Sequence, residues 1–343
     1  MSSEVTLSRL NAAGLPQGFK FPYSGAAGSC QPLPGGQTVP SLSATNCFAS
    51  LSAQPSTATD LLPYAVNVSQ WSDGTTIRRW VLMPDGGVAG YTDAGAFTWP
   101  DDTTLVQEFS YEQTPGTPSS RRPVETRFLI KNGNGTWGAY TYQWNDAFTD
   151  ALLVPGGTTV RKTFPRTGDP GLVHVYPSRA ECLRCHSTDA GVVLGAQARQ
   201  LDRNFDYGSV ATRQLDLWYD LNLFDRSAPA GLPTGSFSSP FDATQPLTKG
   251  VRGYLAANCS SCHRPGGERP TLDLRWETPM TNTGLCGDGG VIVPGDAGAS
   301  LLRRRMAVRG GDAGQMPPID SDAVDTAVLG IVDTWINSMT TCQ

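Results

Sequence analysis

The chain has 343 residues, with 26 Lys+Arg against 31 Asp+Glu and a formal net charge of −5. An acidic, weakly charged chain of this length lacks the basic footprint of a nucleic-acid binder, has room for two or three domains, and at 39% hydrophobic and 9% aromatic residues can bury real cores. Gly (38) and Pro (26) make up roughly a fifth of it, which favours turns and short elements, and no apolar run approaches the ~18–20 residues of a membrane span.

Residues 1–60 are rich in Gly, Pro, Ser and Ala without sustained periodicity, and read as an irregular N-terminal arm that is extended or wraps the rest. Residues 61–176 read as a β-rich domain. Strands are predicted at Ile77–Met83, Thr103–Tyr111, Val124–Lys131, Thr136–Trp144, Thr158–Phe164 and Leu172–Tyr176, with Asn132-Gly133-Asn134-Gly135 a strong hairpin signal. Six strands separated by turn residues predict an antiparallel sandwich or partial barrel. At Ser178 the pattern changes. Ser178-Arg179-Ala180-Glu181 matches a capping box, so a helix starts there. A second helix is predicted over Thr212–Phe224, followed by a Pro/Gly/Ser-rich linker at 226–243 that closes a segment spanning 177–243. In the last segment, 244–343, a helix with Leu247, Val251, Tyr254 and Leu255 on one face precedes a loop-rich middle and Gln315-Met316-Pro317-Pro318. A closing helix over Ser321–Met339 carries the stripe Val324, Val328, Ile331, Val332, Trp335 and Ile336. The predicted fold class is α+β: an antiparallel β-rich domain, then helical segments.

Eight Cys and only three His are present, and two of the His directly follow a C-x-x-C pair. Cys182-Leu183-Arg184-Cys185-His186 and Cys259-Ser260-Ser261-Cys262-His263 both match CxxCH, the attachment signature of c-type haem. The spacing follows from the chemistry: each thiol adds to one haem vinyl group, and the adjacent His is then placed to ligate the iron. The competing reading is a zinc site, since CxxC…CxxC is also a zinc pattern; it gives no reason for a His at the same offset in both motifs. The expected cofactors are therefore two haem c groups, held by Cys182 and Cys185 in the 177–243 segment and by Cys259 and Cys262 in the 244–343 segment, with His186 and His263 as proximal iron ligands. Cys30, Cys47, Cys286 and Cys342 remain. Haem c is attached outside the cytoplasm, where disulfides persist, so an even remainder suggests two disulfides. Three connectivities are open; Cys30–Cys47 with Cys286–Cys342 keeps each pair within one segment. The N-terminus, Met1-Ser2-Ser3-Glu4, has neither the basic nor the apolar region of a signal peptide; the haem argument nevertheless points to the periplasm, the cell surface or the extracellular space.

The C-terminal part resembles the small cytochrome c fold: helix, CxxCH, loop, Met-Pro, closing helix. Over residues 40–340 the chain resembles bacterial di-haem c-type cytochromes with a β-rich N-terminal region. The strings that carry this are Leu42-Ser43-Ala44-Thr45, Pro63–Gly74 (PYAVNVSQWSDG), Glu125-Thr126-Arg127, Tyr142-Gln143-Trp144-Asn145, the first CxxCH, and Leu194–Arg203 (LGAQARQLDR). The resemblance implies redox work.

For the second haem the expected distal ligand is Met316, on a loop stiffened by Pro317 and Pro318, with Met306 the alternative. For the first haem the candidate is His174, twelve residues before His186; Met83, Met280, Met306 and an open sixth position are the alternatives. Trp71, Trp80, Trp99, Trp137 and Trp144 read mostly as core of the β region. Arg303-Arg304-Arg305 reads as a solvated cationic face or a contact for propionates or an acidic partner. Glu125 and Arg127, one pleat apart, read as a local pair. The leading functional expectation is electron transfer between redox partner proteins or neighbouring cytochromes, with no nucleic acid and no membrane span. The alternatives are a di-haem peroxidase or oxidase with one five-coordinate haem, and a cytochrome that self-associates into a filament through its N-terminal arm.

Overall fold

The computed structural model describes residues 30–33, 38–58, 60–207, 211–225, 235–286, 290–310 and 314–342. Residues 1–29, 34–37 and 59 of the expected arm and 226–234 of the expected linker lie outside the described residues. In chain order the strands are β1 Phe48–Ser50, β2 Ser56–Thr57, β3 Leu62–Tyr64, β4 Thr76–Leu82, β5 Thr104–Glu112, β6 Arg121–Lys131, β7 Trp137–Trp144, β8 Ala151–Leu153, β9 Val160–Phe164, β10 Leu172–Tyr176, β11 Asn204–Asp206 and β12 Ala211–Arg213. The helices are α1 Arg179–Cys185, α2 Ala198–Leu201, α3 Gln214–Asp220, α4 Leu247–Asn258, α5 Leu301–Met306 and α6 Thr326–Asn337. The fold is α+β, every strand pair being antiparallel, and among the described residues no helix is long and apolar enough to cross a membrane.

The chain divides into two compact units that do not follow the linear partition expected at residues 61, 177 and 244. One contains residues 1–66, 76–156 and 196–234; the other contains 67–75, 157–195 and 235–343.

The first unit is built on a six-stranded meander, β3 to β8 in sequence order. The hairpin between β6 and β7 turns where the sequence predicts it: the Asn132 N–H donates to the Thr136 carbonyl at 2.7 Å, and Gly135 takes φ +79°. Strand alternation sends Trp80, Leu82, Val106, Phe128, Ile130, Tyr142 and Trp144 to one face, where they pack with Cys30, Leu42, Cys47 and Leu61. The 30–58 region therefore covers its own sheet. The Cys30–Cys47 disulfide staples it. The Leu42 N–H donates to Ala151 at 2.8 Å and the Leu153 N–H to Pro40 at 2.9 Å, which continues the ladder beyond β8 and blunts an otherwise open edge. On the other face Tyr64 meets Trp218 of α3 edge-on, and Trp99, Phe97, Tyr91 and Phe224 extend that aromatic cluster. Glu125 and Arg127 do pair, at 2.6 and 2.8 Å, with the carboxylate fully buried. The sheet is thus covered by loops and helices, and among the described residues no second sheet exceeds two strands. The expected sandwich or barrel is not formed, because β9 and β10 pair only with each other, in the second unit.

The second unit packs α4 against α6 around Val251, Leu255, Val328, Val332, Trp335 and Ile336, with the Trp335 indole N–H donating to Thr248 Oγ1 at 3.0 Å. The Cys286–Cys342 disulfide closes it across 56 positions. The apolar stripe expected on the closing helix is the one buried here. Residues 237–240, expected in a linker, are packed: Phe237 joins the core, and the backbone of Ser238–Pro240 lies on α4 at Gly250 and Gly253. A Cβ at Gly253 would collide with the Ser238 carbonyl oxygen. Replacing Gly253 by Ala should therefore cost about 2 kcal/mol despite the better helix propensity of Ala, read as a lower midpoint in urea; a variant as stable as the parent would show that this approach is looser than described.

Candidate functional site

Both CxxCH motifs lie in the second unit. At the first, Ser178 caps α1 as its sequence predicts: the Ser178 Oγ accepts the Glu181 N–H at 3.3 Å, and Glu181 Oε2 accepts the Ser178 N–H at 2.8 Å. Thr159 Oγ1, just before β9, also bonds to that carboxylate. The cap fixes where the helix begins and hence the turn that carries Cys182 and Cys185. His186 comes next, at the C-cap, its N–H donating to the Cys182 carbonyl at 2.9 Å. Its ring Nδ1 lies 2.6 Å from the Val192 carbonyl oxygen. A carbonyl can only accept, so Nδ1 carries a proton, and in the neutral ring the lone pair then lies on Nε2. Val192 reaches this position with φ +59°, a conformation a β-branched residue seldom adopts; the strain is stored where it aims a carbonyl at a candidate ligand. No local signal in the sequence marks Val192 for this role.

At the second motif α4 ends at Asn258 and the chain turns through Cys259–His263, the Cys262 and His263 N–H groups both donating to the Cys259 carbonyl, at 3.2 and 3.0 Å. Burial pushes the Cys259 thiol up to about 12. Burial also lowers the His263 pKa, as do the nearby Arg269 and Arg305 charges, while the Arg269 backbone works the other way. His263 is thus held neutral, the form in which an imidazole can ligate a metal.

The two motifs, 77 positions apart in the chain (182 to 259), stand against one another. The neighbouring Cys262 thiol and burial raise the Cys185 thiol, whereas Cys185 and Ser261 lower that of Cys262. The Cys262 Sγ also lies 3.9 Å from the Arg184 carbonyl. Arg184 and Glu268 form a two-bonded ion pair at 2.7 and 3.1 Å, and Arg264 Nη1 donates to the Asp189 carbonyl at 2.8 Å. Among the described residues no group of three His, Cys, Asp or Glu side chains gathers as a metal-ion site would require.

A strap formed by residues 67–75 ties these parts together. Val68 sits in the core of the unit. The Trp71 N–H donates to Asn258 Oδ1 at 2.6 Å, at the end of α4, and its indole N–H donates to the Ala323 carbonyl at 2.8 Å. Asp73, buried, accepts the N–H groups of Asp322 and Ala323 at 2.6 and 2.8 Å. Burial raises the Asp73 pKa, with the two backbone bonds and the nearby His174 opposing. Arg161 of β9 pairs with Asp322 at 3.4 Å. The strap overlaps the Pro63–Gly74 string, whose residues carry no local sign of this role.

Met316 is half-buried and, among the described residues, outside the apolar core, whereas Met306 is a core residue. The Met316 loop is closely held. Its N–H donates to the Arg305 carbonyl at 3.0 Å, its carbonyl accepts from Arg309 Nη1 at 3.1 Å, and Gln315 Nε2 donates to the Pro317 and Ser321 carbonyls. Of the other methionines, Met83 is buried in the sheet unit beside Thr103, and Met280 takes Arg252 Nη1 at its sulfur. His174 is fully buried on β10, edge-on to Tyr176 and within the field of Asp73. The second unit thus holds all three His and Met316 together with the four motif cysteines. Of the arginine run, Arg303 pairs with Asp333, and Arg304 and Arg305 are exposed. Trp80, Trp99 and Trp144 are core of the sheet unit; Trp71 belongs to the strap.

None of the protein-family models, curated proteins or solved structures compared with the chain matches it.

Removing the Asp73 carboxylate should strand two backbone N–H groups and free the loop behind Met316. Asp73→Ala is expected to cost roughly 3 kcal/mol, and Trp71→Phe, which loses one neutral hydrogen bond, about 1 kcal/mol. Chemical denaturation that ranks the two the other way round would show that the strap holds mainly by packing.

Proposed function

We propose that this chain is an exported di-haem c-type cytochrome that transfers electrons. Haem c is held through Cys182 and Cys185 at the first motif and through Cys259 and Cys262 at the second. The observation that carries this reading is the state of His186, directly behind a CxxC pair: its Nδ1 is engaged by a strained backbone carbonyl, which leaves the lone pair on Nε2. Such a backbone partner is what orients a ligating imidazole in metal sites. The order α4, CxxCH, loop, Met-Pro, α6, with the two helices packed on each other, supports a cytochrome c-like C-terminal half. The two disulfides are compatible with an oxidising compartment such as the periplasm or the cell surface.

Bound haem supplies a one-electron ferric–ferrous couple. The chain's own residues orient and tune it. The Val192 carbonyl fixes the tautomer of His186. Burial keeps His263 neutral. Arg309 and Gln315 hold the loop that presents Met316, the distal ligand assigned to the second motif, and Asp73 anchors the stretch after that loop at Asp322 and Ala323. His174, already buried beside Asp73, is the candidate distal ligand for the first motif. A redox protein partner takes or gives the electron.

Mass spectrometry of the chain matured in a host that attaches haem should find two additions that survive denaturation, and Cys182→Ser should weaken attachment at the first motif alone. A chain carrying zinc and no haem absorbance overturns the reading. Met316→Ala should lower the potential of one haem, a change to be read against the span of about 0.8 V that axial ligands cover, and should open that iron to carbon monoxide. The other haem should respond as well, but more weakly, because both motifs share one unit; a single wave unmoved by the substitution would show that Met316 is not a ligand.

A further inference from the structure

We infer that Cys185 and Cys262 form a disulfide between the two motifs in the chain that has not yet received haem, so that a single redox bond gates both attachment sites. The gating role rests on the haem reading; the bond itself rests on the placement of the thiols alone.

The four motif cysteines are outside any disulfide in a chain whose other four cysteines are paired. A thiol in an oxidising compartment pairs with the sulfur it can reach, and a disulfide needs Cβ atoms only about 3.5–4.5 Å apart. Cys262 Sγ lies 3.9 Å from the carbonyl of Arg184, the residue before Cys185 in the other motif, and the two thiols shift each other's pKa. Two further contacts hold the two loops in this register: Arg184 on Glu268, and Arg264 on the Asp189 carbonyl. Gly266 adds to the fit, since a Cβ there would press on the Asp189 carboxylate at 2.8 Å.

The oxidant is an external disulfide, either oxidised glutathione or the active-site disulfide of a thiol oxidase. One cysteine sulfur attacks it and releases one external thiol, leaving a mixed disulfide. The neighbouring cysteine sulfur then displaces the second external thiol. The external S–S bond breaks, the Cys185–Cys262 bond forms, and the two cysteine protons end on the two released thiols. While the bond stands, each motif lacks one of its two thiols, so neither can complete thioether attachment. One dithiol reductant then frees both motifs at once, whereas separate Cys182–Cys185 and Cys259–Cys262 disulfides would need two reductions.

The test uses the full-length chain produced without haem attachment and folded in a glutathione redox buffer, then alkylated and peptide-mapped without reduction. The expected map joins Cys185 to Cys262, alongside Cys30–Cys47 and Cys286–Cys342, with Cys182 and Cys259 alkylated. The Cys182→Ser/Cys259→Ser double variant should keep the cross-motif bond. Finding Cys182–Cys185 and Cys259–Cys262 pairs, or four alkylated motif thiols, in molecules that carry the two structural disulfides overturns the inference. In a haem-attaching host, Cys185→Ser should make attachment at Cys259 and Cys262 independent of added dithiol, while the parent chain requires it; equal dependence in both overturns the gating. A parent chain that never acquires haem would refute the functional reading and leave the peptide map free to stand or fall separately.

Discussion

The carboxylate of Asp73 is the hinge of the motif-bearing unit. It is a buried carboxyl group, whose charged form burial disfavours, and it is kept in place by two backbone donors from Asp322 and Ala323. Through those bonds it fixes the chain just beyond Met316. Through the same strap, Trp71 fixes the end of α4, one residue before Cys259. His174 lies in its field from β10. Three stretches far apart in the chain therefore share one small polar anchor, and the positions of a candidate distal ligand and a candidate attachment turn both depend on it.

Around that anchor the unit joins an apolar core to directional bonds. The core on α4 and α6, one disulfide and the hydrogen bonds of Arg309, Gln315, Arg184 and Arg264 hold loops that carry little regular structure. Under the proposed reading, such loops would seat a large planar group that adds apolar surface of its own. The sheet unit has both faces of one meander filled by aromatic side chains, with buried carboxylates paired at Glu108 and Glu125.

Much of this was legible in the residues. The periodic stripe of α6, the capping box at Ser178, the Asn-Gly-Asn-Gly turn and the four central meander strands β4–β7 follow from local rules, and each forms where those rules place it, within a few residues at its ends; the short outer strands β3 and β8 carry no such signal. Pairing each remaining cysteine with its neighbour in the same segment also matches the disulfides observed. What local rules could not supply was membership. The alternation in β9 and β10 is that of any strand and does not say which unit they join. A buried aspartate that serves two N–H groups 249 and 250 positions away looks in the sequence like any turn residue, and the Val192 carbonyl depends on a backbone angle that its side chain disfavours. The meeting of Cys185 with Cys262 is of the same kind: each motif is obvious alone, and nothing in either announces the other.

The interleaving of the two units bears on biosynthesis. The motif unit draws on residues 67–75, 157–195 and 235–343, with stretches of the sheet unit between them. Asp73 leaves the ribosome 249 residues ahead of the first backbone donor it needs, and Cys286 waits for a partner 56 positions later. The sheet unit can close its meander while synthesis continues, since its strands pair in sequence order. The motif unit can close only after residues 322, 323 and 342 have been made. A C-terminal fragment starting near residue 244 would carry one intact attachment motif and none of the strap that positions it.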